Sequence, residues 1–285
     1  MKFSNDLEKK TFSKLAEQLP SLIEKKCHGY DELYGYKLLP GEHYKETIAH
    51  ALIYKFCKAY KFQYEEAAST LCDTLNWRRE FDPLSAAFSE RHDEILNSVG
   101  ILTSYPKDEA NKKVVTWNLY GALVQHKEVF QDVNKFLRYR IGLMERSIAL
   151  LDFDDETNNS VAQVHDYDGV SMWKTDKHIK QCTKQVIAVF QKHYPELLSV
   201  KLFINVPSLL TWVYDVVKKF VSEETRQKFI VLNDGTKLGE YMHSAPSKLY
   251  GGNSKETLEA QNVKEVRPTD YTLYLFEKKV SADVE

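Results

Sequence analysis

Apolar positions in the first third of the chain recur at helical spacing. Leu7, Phe12, Leu15, Leu19 and Leu22 predict a helix over residues 5–26, with Pro20 expected to interrupt or end it. A tyrosine- and glycine-rich turn segment follows, "CHGYDELYGYKLLPG". Two more helical runs come next, "YKETIAHALIYKFCKAYKF" and "QYEEAASTLCDTLNWRREF", the second stopping before Asp82-Pro83.

Beyond that point the period changes. "KKVVTWNLYG" (112–121), "SVAQVHDYDGVSMW", "VKLFINVP" and "FIVLND" read as strands. Between them, "VFQDVNKFLRYRIGLMERSIALLDF", "IKQCTKQVIAVFQKHYPE" and "PSLLTWVYDVVKKFVSEETRQK" read as helices. Strands alternating with helices predict a largely parallel sheet with crossover helices. The fold class is therefore α/β, or α+β overall, with a helical N-terminal bundle ahead of the sheet. The tail "SADVE" is expected to fray.

Three features stand out against this pattern. Arg140 sits in the middle of the apolar stripe Val133, Phe136, Leu137, Leu143, Met144, Ile148 and Leu151. A buried arginine needs a partner. It either snorkels or pairs with a core carboxylate, or it faces an anionic ligand or a phenolate. His165 and Tyr167 are two residues apart on a strand and share one face, with Val164 and Asp166 turned the other way. They either fill a core, each with one hydrogen bond, or mark a ligand site at the carboxyl end of a strand. Tyrosine beside histidine and arginine suits ferric iron, and the arginine is expected to lower the phenol's pKa. The run at 207–221 is either a core-packing amphipathic helix or a lid whose apolar face covers a cavity and touches membrane when open.

Composition narrows the function. With 39 basic against 41 acidic residues the net charge is −2, which argues against general nucleic-acid binding. Four cysteines form no C-x-x-C pair, as expected of a reduced cytosolic protein. The N-terminus carries no hydrophobic signal core, and no run is long enough to span a bilayer, so any membrane contact is expected to be peripheral. The sequence holds no P-loop, no G-x-S-x-G, no H-E-x-x-H and no G-x-G-x-x-G after a strand.

The order of several segments resembles the Sec-fourteen-like CRAL-TRIO lipid-transfer family. "LIYKFCKAYKFQYEEAASTLCDTLNWRREFDPL" resembles its N-terminal helical segment, with the lysine and aromatic of "FCKAY" where that family has arginines. "QVHDYDGVSMW" sits where it has its D-x-x-G-x-S strand. "FQKHYPELLSVKLFINVPSLLTWVYDVVKKF" resembles its "YP" turn, strand and gate helix, and "FIVLNDGTKLGEY" its final strand and closing loop. The resemblance covers roughly residues 40–275. It implies a CRAL-TRIO-N type bundle over 1–88, a sheet-floored lipophilic pocket with a gating helix over 89–275, and a C-terminal tail over 276–285.

Members of this family extract one lipophilic molecule from a membrane. In those that bind phosphatidylinositol, the headgroup positions match Glu196 and Lys228. "YDELYGYKL", "NKKVVTWNLYG", "FLRYRIGLMER" and "QVHDYDGVS" together are similar to a fungal branch that binds haem b in its ferric state. Its haem-contacting positions match Tyr120, Arg140, His165, Tyr167 and Lys201, with Tyr60 a further pocket tyrosine. Tyr167 matches the axial iron ligand, and His165 is the second candidate for that role. By alternation Tyr120 shares a face with Thr116 and Asn118, and Lys201 with Phe203 and Asn205. Arg140 is open to two roles, stabilising the Tyr167 anion or serving a propionate. The resemblance implies a cytoplasmic carrier with haem or phosphatidylinositol as ligand and peripheral contact with endoplasmic reticulum or plasma membrane. It implies no nucleic-acid partner and no enzymatic turnover, since no distal histidine is evident for a peroxidase- or catalase-like site.

Overall fold

A computed structural model describes residues 2–170, 176–207 and 223–282. Helix α1 (Asp6–Lys26) is capped by Asn5, whose side chain accepts from the Glu8 amide. It buries Phe12, Leu15, Leu19 and Ile23 along one stripe, while Leu7 is exposed. The helix runs through Pro20, contrary to the expected break. Pro20 lies on the exposed side, and the packed stripe on the other side holds the helix across the missing hydrogen bond.

The turn segment forms a two-stranded hairpin of β1 (Glu32–Leu33) and β2 (Tyr36–Lys37). Helices α2 (Glu46–Ala59) and α3 (Tyr64–Phe81) complete the N-terminal layer. Two short helices follow, α4 (Pro83–Phe88) and α5 (Glu94–Val99).

The sheet has five strands in the order β3 (Gly100–Ser104), β4 (Val114–Leu119), β5 (Val161–Asp166), β6 (Leu198–Ile204), β7 (Phe229–Val231). Strand β3 is an antiparallel edge that the pattern did not announce, and the other pairings are parallel. Helices α6 (Val133–Ile148) and α7 (Lys177–His193) are the crossovers, both shorter than the periodicity suggested. A short helix α8 (Glu223–Gln227) precedes β7. The closing segment carries α9 (Ser247–Tyr250), and α10 (Asp270–Ala282) continues helix into the stretch expected as a tail. The expected gate helix and the "SMW" end of the third strand segment lie largely outside the described residues. No helix among the described residues is long and apolar enough to cross a membrane.

Strand alternation divides the sheet into two faces. Val115, Trp117, Ala162, Val164, Val200, Leu202 and Ile204 pack against the closing segment through Leu238, Met242 and Tyr250. The opposite face looks toward α6 and α7 and carries Gln163, His165, Lys201 and Phe203.

Candidate functional site

Strand β5 ends at Asp166, one residue before Tyr167. The Tyr167 amide still donates to the Ile204 carbonyl at 3.0 Å, so the alternation carries through. His165 and Tyr167 therefore share a wall, as expected. The Tyr120 ring lies 5.2 Å from His165 and 5.7 Å from Tyr167, and the Phe203 ring lies 5.4 Å and 6.4 Å from the same two. Tyr120 opens the turn after β4, and Gly121 makes its approach possible. A Cβ on Gly121 would overlap the Asp168 carbonyl oxygen.

Asp166 points away from these rings. It accepts from Tyr250 at 2.9 Å and from Asn205 at 2.8 Å. Asn205 does not share the Lys201 face as alternation predicted. The strand ends at Ile204, Asn205 turns to φ 52°, and its side chain accepts from the Gly235 amide at 2.7 Å. Asp166 and Asn205 thus tie the closing segment to the carboxyl end of the sheet.

Arg140 is 2% exposed, so it does not snorkel, and it meets no carboxylate among the described residues. Its guanidinium sits 5.8 Å from the Phe190 ring centroid, and Nε has no hydrogen-bond partner among the described residues. Lys201 Nζ stands 5.5 Å from Phe203 and 5.7 Å from Phe229, again with no carboxylate in reach among the described residues. Other buried polar atoms on this face also find no hydrogen-bond partner among the described residues: Thr116 Oγ1, Asn118 Oδ1 and His165 Nε2. Buried polar atoms are paired in the great majority of cases, so this concentration on one face is a sign of a ligand wall.

The electrostatics follow from burial and from the two cations. Burial, then Lys201 and Arg140, hold the His165 imidazole well below its ordinary pKa, so it is neutral. Burial, then Arg140, push Lys201 down to about 7. The Tyr167 phenol is pushed up, not down as the arginine alone would have it. Burial and Tyr120 raise it, and Arg140 only partly opposes them. Tyr167 is therefore a neutral phenol in the ligand-free chain.

Lys201 also lines a cavity of about 330 Å³ that opens toward the N-terminal helices and reaches Tyr60, Tyr194, Glu196, Lys228 and Phe229. Tyr60 belongs to this end, in "CKAY" at the close of α2, rather than to the His165–Tyr167 wall. Here Glu196 is ringed by lysines. Lys58 is 3.0 Å from its carboxylate and Lys228 3.9 Å, and Lys55 donates to its backbone carbonyl at 2.9 Å. Burial pushes the Glu196 carboxyl up, but Lys228, Lys58 and Lys55 outweigh it and hold it below the usual range. Lys55 is itself driven down to about 8, chiefly by burial. The expected Glu196–Lys228 pair is brought together. Lys55 and Lys58 were missed, although Lys55 interrupts the buried stripe Ile48, Leu52, Phe56 in the way that Arg140 interrupts its own.

No cluster of three His, Cys, Asp or Glu among the described residues is placed to hold a bare metal ion. The site instead offers single donors, the Tyr167 and Tyr120 phenols and the His165 imidazole, on an aromatic wall with two cations.

Comparison with known proteins agrees with this geometry. The profile of the CRAL/TRIO domain matches residues 99–252. Proteins named phosphatidylinositol transfer protein SFH5 are similar along the whole chain. That of Vanderwaltozyma polyspora is 56% identical and that of Saccharomyces cerevisiae 55%, each with full coverage of both chains. That of Kluyveromyces lactis is 51% identical over 96% of this chain and 91% of its own. A solved structure titled as the crystal structure of Sfh5 superposes with a TM-score of 0.96 at 56% identity, covering 99% of this chain and 100% of that one. The sheet with its crossover helices and these relatives together make the chain a member of the CRAL-TRIO, Sec-fourteen-like family.

Proposed function

We propose that the chain is a carrier enclosing one lipophilic ligand with an anionic end, and that ferric haem b is the ligand its chamber suits best. The observation that carries this reading is a buried Arg140 and a half-buried Lys201, facing tyrosines and a neutral histidine with no carboxylate in reach among the described residues. Buried charge is normally paired. Ferric haem has one positive charge on its iron–porphyrin core and two negative propionates. Tyrosinate ligation adds one negative charge, leaving a sum that two cations neutralise. The macrocycle would supply four iron ligands, so a single axial donor suffices where no bare-ion cage exists.

In this reading Tyr167 holds the iron through its phenol oxygen and gives up its proton on binding. His165 is the alternative donor, and otherwise its Nε2 meets the ligand. Arg140 and Lys201 would face the propionates, Arg140 also supporting the tyrosinate, while Tyr120 lies edge-on to His165 and tilted to Tyr167. Bound haem would supply a ferric centre, with Tyr167 as its anionic donor. His165 and Tyr167 contact the same two rings and so lie on one wall. That leaves no acid–base group across the chamber among the described residues, which favours carriage over peroxidase turnover. The test is an absorption titration of the ligand-stripped chain with haemin beside Tyr167→Phe. A saturable Soret band in the parent, shifted or lost in the variant, is expected. A parent that leaves the haemin spectrum unchanged contradicts the reading.

The second reading is phosphatidylinositol binding and transfer. It is favoured by the lysines around Glu196 and by the printed names of the relatives. Lys228, Lys58 and Lys55 would face the phosphate, with Glu196 accepting inositol hydroxyls. Cytoplasmic location and peripheral contact with a membrane face belong to this proposal, since the lipid is loaded there. Transfer of labelled phosphatidylinositol between vesicles, lost in Lys228→Ala, is the expected result. Transfer absent from the parent contradicts it.

A further inference from the structure

A half-buried primary amine on the wall of a cavity, between aromatic rings and with no carboxylate paired to it among the described residues, has a property that neither ligand reading uses. Lys201 Nζ lies 5.5 Å from the Phe203 ring and 5.7 Å from the Phe229 ring, and Val186 and Phe190 add apolar surface to the cavity it lines, which also reaches Glu196 and Glu224. No hydrogen bond or ion pair engages its Nζ among the described residues. Lys228 makes a useful contrast. It lines the same cavity but is held 3.9 Å from the Glu196 carboxylate. Desolvation and a neighbouring cation are the two devices that turn a lysine into a nucleophile.

We propose that Lys201 is a nucleophilic amine that captures lipophilic aldehydes as an imine inside the cavity. The Nζ lone pair forms a bond to the aldehyde carbon as the carbonyl π electrons move onto oxygen. Two protons pass from nitrogen to that oxygen, the carbon–oxygen bond breaks, and water leaves. No oxidant or reductant is needed. The aldehyde class is set by the cavity: a long apolar chain lies against Phe190 and Val186 with its carbonyl at Lys201. The reaction requires no haem and stands or falls independently of the haem reading. It is supported by the lysine's fall to about 7, caused by burial and then Arg140, which leaves a large fraction of the amine free at neutral pH. An ordinary lysine is free at that pH in roughly one molecule per few thousand.

The ligand-stripped full chain is incubated at pH 7 with dodecanal and sodium cyanoborohydride, which reduces imines to stable secondary amines, and the adducts are mapped by peptide mass. One dodecyl group per chain on Lys201 is expected, forming on the order of a hundred-fold faster than on the exposed lysines. Lys201→Arg keeps the charge and is expected to lose this adduct. The proposal is overturned if Lys201 in the parent is unmodified, or is labelled no faster than the exposed lysines. The parent's peptide map decides the matter even if the variant fails to fold.

Discussion

Two arginines are buried to nearly the same degree, Arg78 at 0% and Arg140 at 2% exposed, yet their surroundings differ completely. Arg78 on α3 donates to Glu32 through Nε at 3.0 Å and Nη2 at 2.8 Å, and to Glu145 through Nη1 at 2.6 Å and Nη2 at 3.1 Å. Tyr194 donates to the same Glu145 at 2.6 Å. Burial opposes the Arg78 charge, but Glu145 and Glu32 hold it firmly protonated. This cluster stitches the N-terminal hairpin and α3 to α6 and the end of α7. Arg140, two turns along α6 from Ile148, has an aromatic neighbour and an unsatisfied Nε. The fold completes one arginine with its own carboxylates, while no carboxylate among the described residues meets the other. On the proposed reading, the difference separates a structural cation from a binding one.

The largest effect should come from breaking the completed cluster. Arg78→Met leaves Glu32 and Glu145 buried without their cation and should cost about 3–5 kcal/mol, read as a fall in denaturation midpoint. A loss near zero would mean that the network is ornamental. Next in size is the loss of ligand at the incomplete arginine. Arg140→Met should weaken haemin binding by about 10- to 100-fold, the range expected for one charge-assisted contact, measured by the Soret titration. Unchanged affinity would remove Arg140 from the site.

The pH dependence sharpens the same contrast. Lys201 titrates near 7 in the folded chain and near its ordinary 10.5 when unfolded. The unfolded chain therefore binds more protons between those values, and the contribution of Lys201 to stability rises with pH across that window. In the folded chain the charged form that attracts an anion is lost around pH 7, at the lower edge of that window. Haemin affinity should fall by a few-fold as pH rises through 7, and Lys201→Met should flatten that slope. The smallest effect is expected at the rim. Lys58→Ala at the half-exposed pair with Glu196 should change stability by less than about 1 kcal/mol, checked by urea denaturation.

Much of this arrangement was legible in the chain itself. Period-two alternation placed His165 with Tyr167 and opposite Val164, and Lys201 with Phe203; the parallel register then brings His165, Lys201 and Phe203 to one face. Arg140 stood out because it interrupts an apolar stripe. Arg78 carries the same signal, following Ala67, Leu71, Thr74 and Leu75 on the buried side of α3, and Lys55 carries it on α2. They escaped notice because the stripe each interrupts is shorter. Other features were hidden for physical reasons. The left-handed turn at Asn205 depends on its bonds to Asp166 and Gly235, remote in sequence. Helix α1 survives Pro20 because of packing that only tertiary structure supplies. The direction of the Tyr167 shift depends on burial, which outweighs the arginine that local reading emphasised.

The most direct test of the contrast is the unfolding free energy of Arg140→Met relative to the parent, both stripped of ligand. If Arg140 is a binding cation with no structural partner, replacing it by an apolar side chain of similar length removes a buried uncompensated charge. The variant should then be at least as stable as the parent, and more stable by up to a few kcal/mol. A loss of about 3 kcal/mol or more, like that expected for Arg78→Met, would show that Arg140 is already paired within the fold and would contradict the account.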